Sequence, residues 1–100
     1  MPDVVYTISQ LKERLIPIFI DKSIKRAVLF GSYGKGMATK GSDIDLLVDS
    51  GIKGLGVVGL IEDIRATLDK DVDIFDITHV EKGSKIDLEI QRTGVLMYEK

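Results

Sequence analysis

The segment LFGSYGKGMATKGSDIDLLVDSG, residues 29–51, decides the fold of this protein. It leads from an apolar run through a glycine-rich loop to Asp43 and Asp45, which open a second apolar run. Residues two apart in a β-strand project from the same face of the sheet. We therefore predict a strand at 43–50 that carries both carboxylates on one face and buries its alternate apolar side chains.

Hydrophobic spacing on either side of this segment predicts the remaining elements. Thr7 and Gln10 have the spacing of a capping box, and they open an amphipathic helix that Pro17 is expected to kink or end early. After that helix we predict a buried strand at 25–30, a loop at 31–42 with a helical turn near 35–38, and the strand at 43–50. A flexible connection at 51–54 leads to a helix at 57–68 and a strand at 71–77. The last elements are a helix at 85–92 that stops near Gly94 and a strand at 95–98. This order predicts an α/β (α+β) fold in a single domain over residues 1–100.

Composition narrows the classes of function. The chain has a net charge of −2, no cysteine and no block of like charge, so a thiolate metal site and a surface built for nucleic acid are not expected. No apolar run approaches the ~20 residues of a membrane span. The N-terminus resembles no signal peptide, and we expect a cytoplasmic protein.

The paired aspartates and the glycine-rich loop together suggest phosphate chemistry. Two adjacent carboxylates repel each other unless a cation lies between them, and Mg²⁺ prefers such oxygen ligands together with substrate phosphates. Asp73 on the third strand is a candidate third carboxylate for a two-metal site, whereas we expect Asp71 to cap the strand or face water. Asp76 lies three positions after Asp73, so on a regular strand its side chain should point to the opposite face, away from the site. His79 is expected to be a loop residue.

Gly31 and Ser32 follow the first strand, where backbone N–H groups and a hydroxyl can cradle a phosphate. As an alternative to phosphate binding, Gly31 and Ser32 could form a simple turn. As an alternative to metal binding, Asp43 and Asp45 could lie on a solvent-exposed face of the strand. Tyr33 could contact a nucleotide or pack beneath the loop, and Lys35 could neutralise phosphate charge or merely solvate the loop. The joint order of these parts favours transfer of a nucleotidyl group.

The stretch GSYGKGMATKGSDIDLLV resembles the minimal nucleotidyltransferase (MNT) family of the DNA polymerase β-like superfamily, with its Gly-Ser, ten residues and Asp-x-Asp. The likeness extends to VDIF and to TGVLMYE. It implies a nucleotidyltransferase fold with a small mixed sheet of about four strands flanked by helices. It also implies ATP as substrate and two Mg²⁺ ions. The implied nucleotide-binding residues are Gly31, Ser32, Tyr33, Lys35 and Ser42, and the implied metal-binding and catalytic residues are Asp43, Asp45 and Asp73, with Asp73 aligning or deprotonating the attacking hydroxyl.

Small members of this family resemble the antitoxins of type VII-like toxin–antitoxin pairs. The resemblance implies transfer of AMP from ATP to a tyrosine of a HEPN-domain toxin in a hetero-oligomer. The alternatives are an antitoxin that masks its toxin without catalysis, and a small-molecule nucleotidyltransferase. About 27 residues follow Asp73, so we expect a partner or a second subunit to present the acceptor. Many relatives have Ala-Arg in place of Gly34-Lys35, and the glycine predicts a looser loop here.

Overall fold

The computed structural model describes residues 5–50 and 55–100, so the predicted connection at 51–54 lies outside the described residues. None of the helices in these two ranges is long and apolar enough to cross a membrane. The elements are α1 (Ile8–Asp21), β1 (Arg26–Phe30), α2 (Gly31–Gly34), β2 (Ile44–Asp49), α3 (Leu55–Leu68), β3 (Val72–Asp76), a 3₁₀ turn (Ile77–His79), α4 (Lys85–Thr93) and β4 (Val95–Glu99).

The strands form one sheet in the order β3-β2-β1-β4. β1 lies antiparallel to both β2 and β4, whereas β2 and β3 are parallel. The sheet is therefore mixed, as predicted, and α3 lies in the crossover that two consecutive parallel strands require. This arrangement places the end of β1 beside the start of β2, and the start of β2 beside the start of β3.

One face of the sheet packs against α1 and α3. Along β2 the apolar side chains at alternate positions are fully buried, and the intervening residues are only partly buried. The helices contribute matching apolar stripes to the same cluster: Leu11, Leu15 and Phe19 from α1, and Leu60, Ile64 and Leu68 from α3. The strand period of two thus buries one side of β2 and leaves its other side, which carries Asp45, toward the opposite face of the sheet.

The structure differs from two sequence expectations about helices: α1 does not end early at Pro17, and the predicted turn near 35–38 forms elsewhere. α1 begins with the predicted capping box at Thr7 but continues past Pro17 to Asp21. Pro17 and Glu13 are both exposed, so water can satisfy the carbonyl of Glu13 that proline leaves without a donor. The helical turn predicted near 35–38 forms at Gly31–Gly34 instead, because Gly36 has a φ of +73° that ends a right-handed turn.

Candidate active site

Asp43, Asp45 and Asp73 meet at one edge of the sheet. Asp45 and Asp73 are direct partners in the parallel register of β2 and β3, and Asp43 lies two residues before Asp45. Asp43 and Asp73 are exposed, and Asp45 is partly buried. Phe30, the last residue of β1, pairs with Asp45 on the other side of β2. The structure therefore brings the predicted carboxylates together beside the predicted phosphate loop.

Asp45 lies at the electrostatic centre of this group. Burial first, and then the negative charges of Asp73, Asp43 and Glu89, together raise the pKa of its carboxyl from the ordinary 3.8 to about 6. The repulsion shows that these carboxylates act on one another through space. A bound cation would relieve that repulsion and favour the ionised form of Asp45.

The three aspartates do not form a complete metal cage on their own. Over residues 5–50 and 55–100, no three Asp, Glu, His or Cys side chains make a set that could hold a metal ion by themselves. Mg²⁺ usually takes only one or two carboxylates and fills its remaining positions with water and substrate phosphates. The oxygen donors present here fit that mode of binding.

Gly31 is the point of closest approach between the loop and the carboxylates. Its φ is +73°, which strains any side chain, and a Cβ on this residue would lie 2.5 Å from Oδ2 of Asp45, so another residue would have to displace the Asp45 carboxylate. Its N–H donates to Oγ1 of Thr93 at 2.9 Å. Phosphate binding at Gly31 stays a prediction; in this structure Gly31 makes room for Asp45, and its N–H already has an acceptor.

The amides that remain for an anion come from the next residues of α2. The N-cap of α2 is Phe30, which supplies no side-chain acceptor. N–H groups in a first helical turn have no acceptor within the helix, so the amides of Ser32 and Tyr33 are placed to bind an anion. Ser32 is exposed, and its hydroxyl lies at the same place. The predicted phosphate cradle therefore includes the amide and the hydroxyl of Ser32.

The other predicted nucleotide-binding residues have different surroundings. Tyr33 is 2% exposed within the core, and its hydroxyl has no hydrogen-bond partner among residues 5–50 and 55–100. Its burial favours packing beneath the loop over contact with a nucleotide. Lys35 is exposed but lies 3.7 Å from Glu89 in an ion pair. Oγ of Ser42 accepts from the N–H of Thr39 at 2.9 Å and so stabilises the loop just before Asp43.

Neither of the alternative third carboxylates joins the site. Asp76 accepts from the hydroxyl of Ser50 at 2.6 Å and from the N–H of Thr78 at 3.0 Å. Burial alone would raise the pKa of Asp76, but these hydrogen bonds to its charged form outweigh burial and lower the pKa below 3.8. Asp71 pairs with Arg65 at 3.1 Å on the surface, and His79 is exposed after β3.

Two residues of α4 belong to the site and were missed from the sequence. Glu89 faces Asp45 closely enough to raise its pKa, and Thr93 accepts from Gly31. Their spacing of four places both on one side of a helix, which is the only sequence signal they carry. That spacing does not tell which side of α4 meets the loop, because the answer depends on how α4 packs beside β1 and α2.

Comparison with known proteins places this site in a family. The sequence model described as polymerase beta, nucleotidyltransferase matches residues 13–100. The chain belongs to this nucleotidyltransferase family. A protein of Methanocaldococcus jannaschii with the provisional name protein adenylyltransferase MJ0435 is 36% identical over 70 residues, which cover 67% of this nucleotidyltransferase chain and 74% of that protein. The predicted resemblance is confirmed.

Solved structures show the same fold. A chain from a toxin–antitoxin complex with AMP-PNP superposes with a TM-score of 0.75 at 22% identity. The match covers 89% of this nucleotidyltransferase and 73% of that chain. A chain from the complex of tri-AMPylated Shewanella oneidensis HEPN toxin with MNT antitoxin has a TM-score of 0.70 at 19% identity and covers 94% of this chain and 74% of its own length. These likenesses confirm the predicted nucleotidyltransferase fold.

Proposed function

We propose that this nucleotidyltransferase uses Mg²⁺ to transfer AMP from ATP to a tyrosine hydroxyl of a HEPN-domain toxin, and so acts as the antitoxin of a toxin–antitoxin pair. The observation that carries the proposal is the direct pairing of Asp45 with Asp73 beside the close approach of Gly31 to Asp45. This geometry supports a site in which the carboxylates and the first-turn amides of α2 face one ligand. A triphosphate needs both, because a metal on the carboxylates and N–H donors bind different oxygens of it.

Asp43 and Asp45 are the residues proposed to hold Mg²⁺, with Asp73 as the third ligand for a pair of ions. The support is the chemistry of the donors and the raised pKa of Asp45, which results first from burial and then from the nearby negative charges of Asp73, Asp43 and Glu89. When bound, Mg²⁺ would neutralise the phosphates and stabilise the charge that develops during transfer. The ions would therefore favour the ionised form of Asp45.

The protein's own part in the reaction is to position the groups. The amides and hydroxyl around Ser32 bind phosphate oxygens, and Asp73, on the neighbouring strand, is exposed where an acceptor can reach it. The acceptor oxygen forms a bond to the α-phosphorus of ATP while the bond to pyrophosphate breaks. The hydroxyl proton passes to Asp73, which orients the attacking oxygen before transfer.

The choice of acceptor rests on the relatives. The Methanocaldococcus relative carries a name for protein adenylylation, and a neighbour in fold was solved as an MNT antitoxin with an AMPylated HEPN toxin. Another was solved as a toxin–antitoxin complex with an ATP analogue. The exposed position of Asp73 agrees with an acceptor that arrives on another protein.

The test is to incubate the chain with the HEPN-type protein encoded beside it, with ATP and Mg²⁺, and to record intact masses. We expect AMP-sized mass increments on the partner, lost in Asp45→Asn and in Asp73→Asn. Asp71→Asn is the matched control, because Asp71 lies two residues from Asp73 but pairs with Arg65 and is not among the charges that raise the pKa of Asp45. A stable complex with no mass change, equal for all variants, would indicate masking; a labelled metabolite and an unlabelled partner would indicate a small-molecule transferase.

A further inference from the structure

A single hydroxyl connects α4 to the first residue of the phosphate loop. Oγ1 of Thr93 accepts from the N–H of Gly31 at 2.9 Å and donates to the carbonyl of Glu89 at 2.7 Å. Thr93 is 8% exposed, and the Gly31 bond is buried. Because the hydroxyl donates in one direction and accepts in the other, its orientation is fixed, and so is the position of the Gly31 amide.

Two further contacts join α4 to α2. Gly34 lies so close to Thr93 that a Cβ would overlap the Thr93 carbonyl oxygen. Lys35, which follows α2, forms its ion pair with Glu89 at 3.7 Å. The two α4 residues therefore hold α2 at both its first residue and its end. The glycine that predicts a looser loop is in fact the residue that lets α4 pack directly on it.

Gly31 lies between Thr93 and Asp45. Its N–H faces the threonine, and its Cα lies against the Asp45 carboxylate, with no space for a methyl group between them. A shift of Gly31 would therefore change the distance between the Ser32 amide and Asp45. Those two groups must reach oxygens of the same triphosphate, so a small displacement is costly for binding.

We propose that Thr93 is a positioning residue for the nucleotide: its hydroxyl holds Gly31 so that the Ser32 cradle and the Asp45 carboxylate face one triphosphate at the same time. This inference rests on the proposed function, because it takes ATP as the ligand. Thr93 itself touches no substrate, and it acts through Gly31.

The test compares substitutions that separate the hydroxyl of Thr93 from its shape. Thr93→Val keeps the shape but leaves the buried Gly31 N–H without an acceptor, whereas Thr93→Ser keeps the hydroxyl. Thr67→Val makes the same chemical change at an exposed position on α3 and serves as the matched control. The dissociation constant of AMP-PNP with Mg²⁺ is measured by calorimetry for each purified protein, beside its melting temperature, and KM for ATP and kcat are measured with the partner.

We expect Thr93→Val to weaken AMP-PNP binding about tenfold and to raise KM for ATP more than it lowers kcat. Thr93→Ser should stay within about threefold of the unsubstituted protein, and Thr67→Val should bind equally well. Amide exchange at Gly31 should accelerate in the valine variant alone. If the valine variant does not fold at the assay temperature, Thr93→Cys, which keeps the size with a much weaker hydrogen-bonding group, is used with the same expectation.

Equal AMP-PNP binding by the unsubstituted protein and a folded valine or cysteine variant would overturn the positioning role and leave the proposed function intact. Loss of binding in the serine variant as large as in the valine variant would also overturn it, because shape rather than the hydroxyl would then matter. No binding by the unsubstituted protein would refute the proposed function and, with it, this role for Thr93.

Discussion

Replacing Asp45 with asparagine is expected to stabilise the metal-free protein at neutral pH while abolishing nucleotidyl transfer. The carboxylate of Asp45 is partly desolvated and lies near the negative charges of Asp73, Asp43 and Glu89. Without a cation, its own charge therefore opposes folding. Asparagine has nearly the same shape and carries no charge, so it removes that cost.

The magnitude follows from the pKa of Asp45. A rise from 3.8 to about 6 corresponds to roughly 3 kcal/mol between the charged and neutral forms. Asp45 is only partly buried, and solvent screening reduces the part that affects stability. We expect the free energy of unfolding to rise by about 1–2 kcal/mol in Asp45→Asn at neutral pH.

The pH dependence has a definite direction. The pKa of Asp45 is higher in the folded state, so the folded state binds its proton more tightly. The contribution of Asp45 to the free energy of unfolding is therefore most favourable below about pH 4. It falls as the pH rises toward about 6 and stays constant above that. Asparagine does not titrate, so Asp45→Asn should be more stable than the unsubstituted protein at about pH 7.5 and equally stable at about pH 3.5.

The free energy of unfolding is measured by urea denaturation at these two pH values, with a metal chelator present. Asp71→Asn is the control, because that exposed carboxylate is not among the charges that raise the pKa of Asp45, and the loss of its surface ion pair should change stability by less than about 1 kcal/mol. The reasoning would be refuted if Asp45→Asn lowered stability at neutral pH, or if its gain were the same at both pH values. Added Mg²⁺ and ATP should stabilise the unsubstituted protein and not the variant.

Urea unfolding also tests three further features of the fold: the contact of Gly34 with Thr93, the hydrogen bonds of Asp76, and the cap of α1. Gly34→Ala should lower the free energy of unfolding by about 1–3 kcal/mol, because the added methyl group would overlap the Thr93 carbonyl. Gly59→Ala is the control: its added methyl group would lie 3.5 Å from the nearest atom, so it should raise the free energy of unfolding by up to about 1 kcal/mol. Equal effects of the two substitutions would contradict this account. Asp76→Asn should cost about 1 kcal/mol at neutral pH, and the cost should vanish in acid as the unsubstituted carboxylate is protonated through its lowered pKa; a cost that persists there would mean that charge is not involved. Thr7→Ala should cost about 1 kcal/mol through loss of the α1 cap, and an unchanged midpoint would show that the capping box contributes nothing.

Local patterns in the sequence determined most of the elements and part of the site. The period of two predicted that the strand would bury its alternate apolar side chains and leave Asp45 on the other face, and the alternating burial of β2 confirms it. The capping box at Thr7 predicted the start of α1. Such features depend on residues a few positions apart, so the chain itself carries the information.

Only the tertiary structure decided which distant groups meet. The register that pairs Asp45 with Asp73, the closeness of Glu89 to Asp45, and the bond from Gly31 to Thr93 all join residues far apart in the chain. Gly34 illustrates the difference: helix propensity alone predicts a looser turn, but the space it leaves is filled by the Thr93 backbone. Propensity describes a residue and its neighbours in sequence, whereas close packing depends on what the fold brings against it.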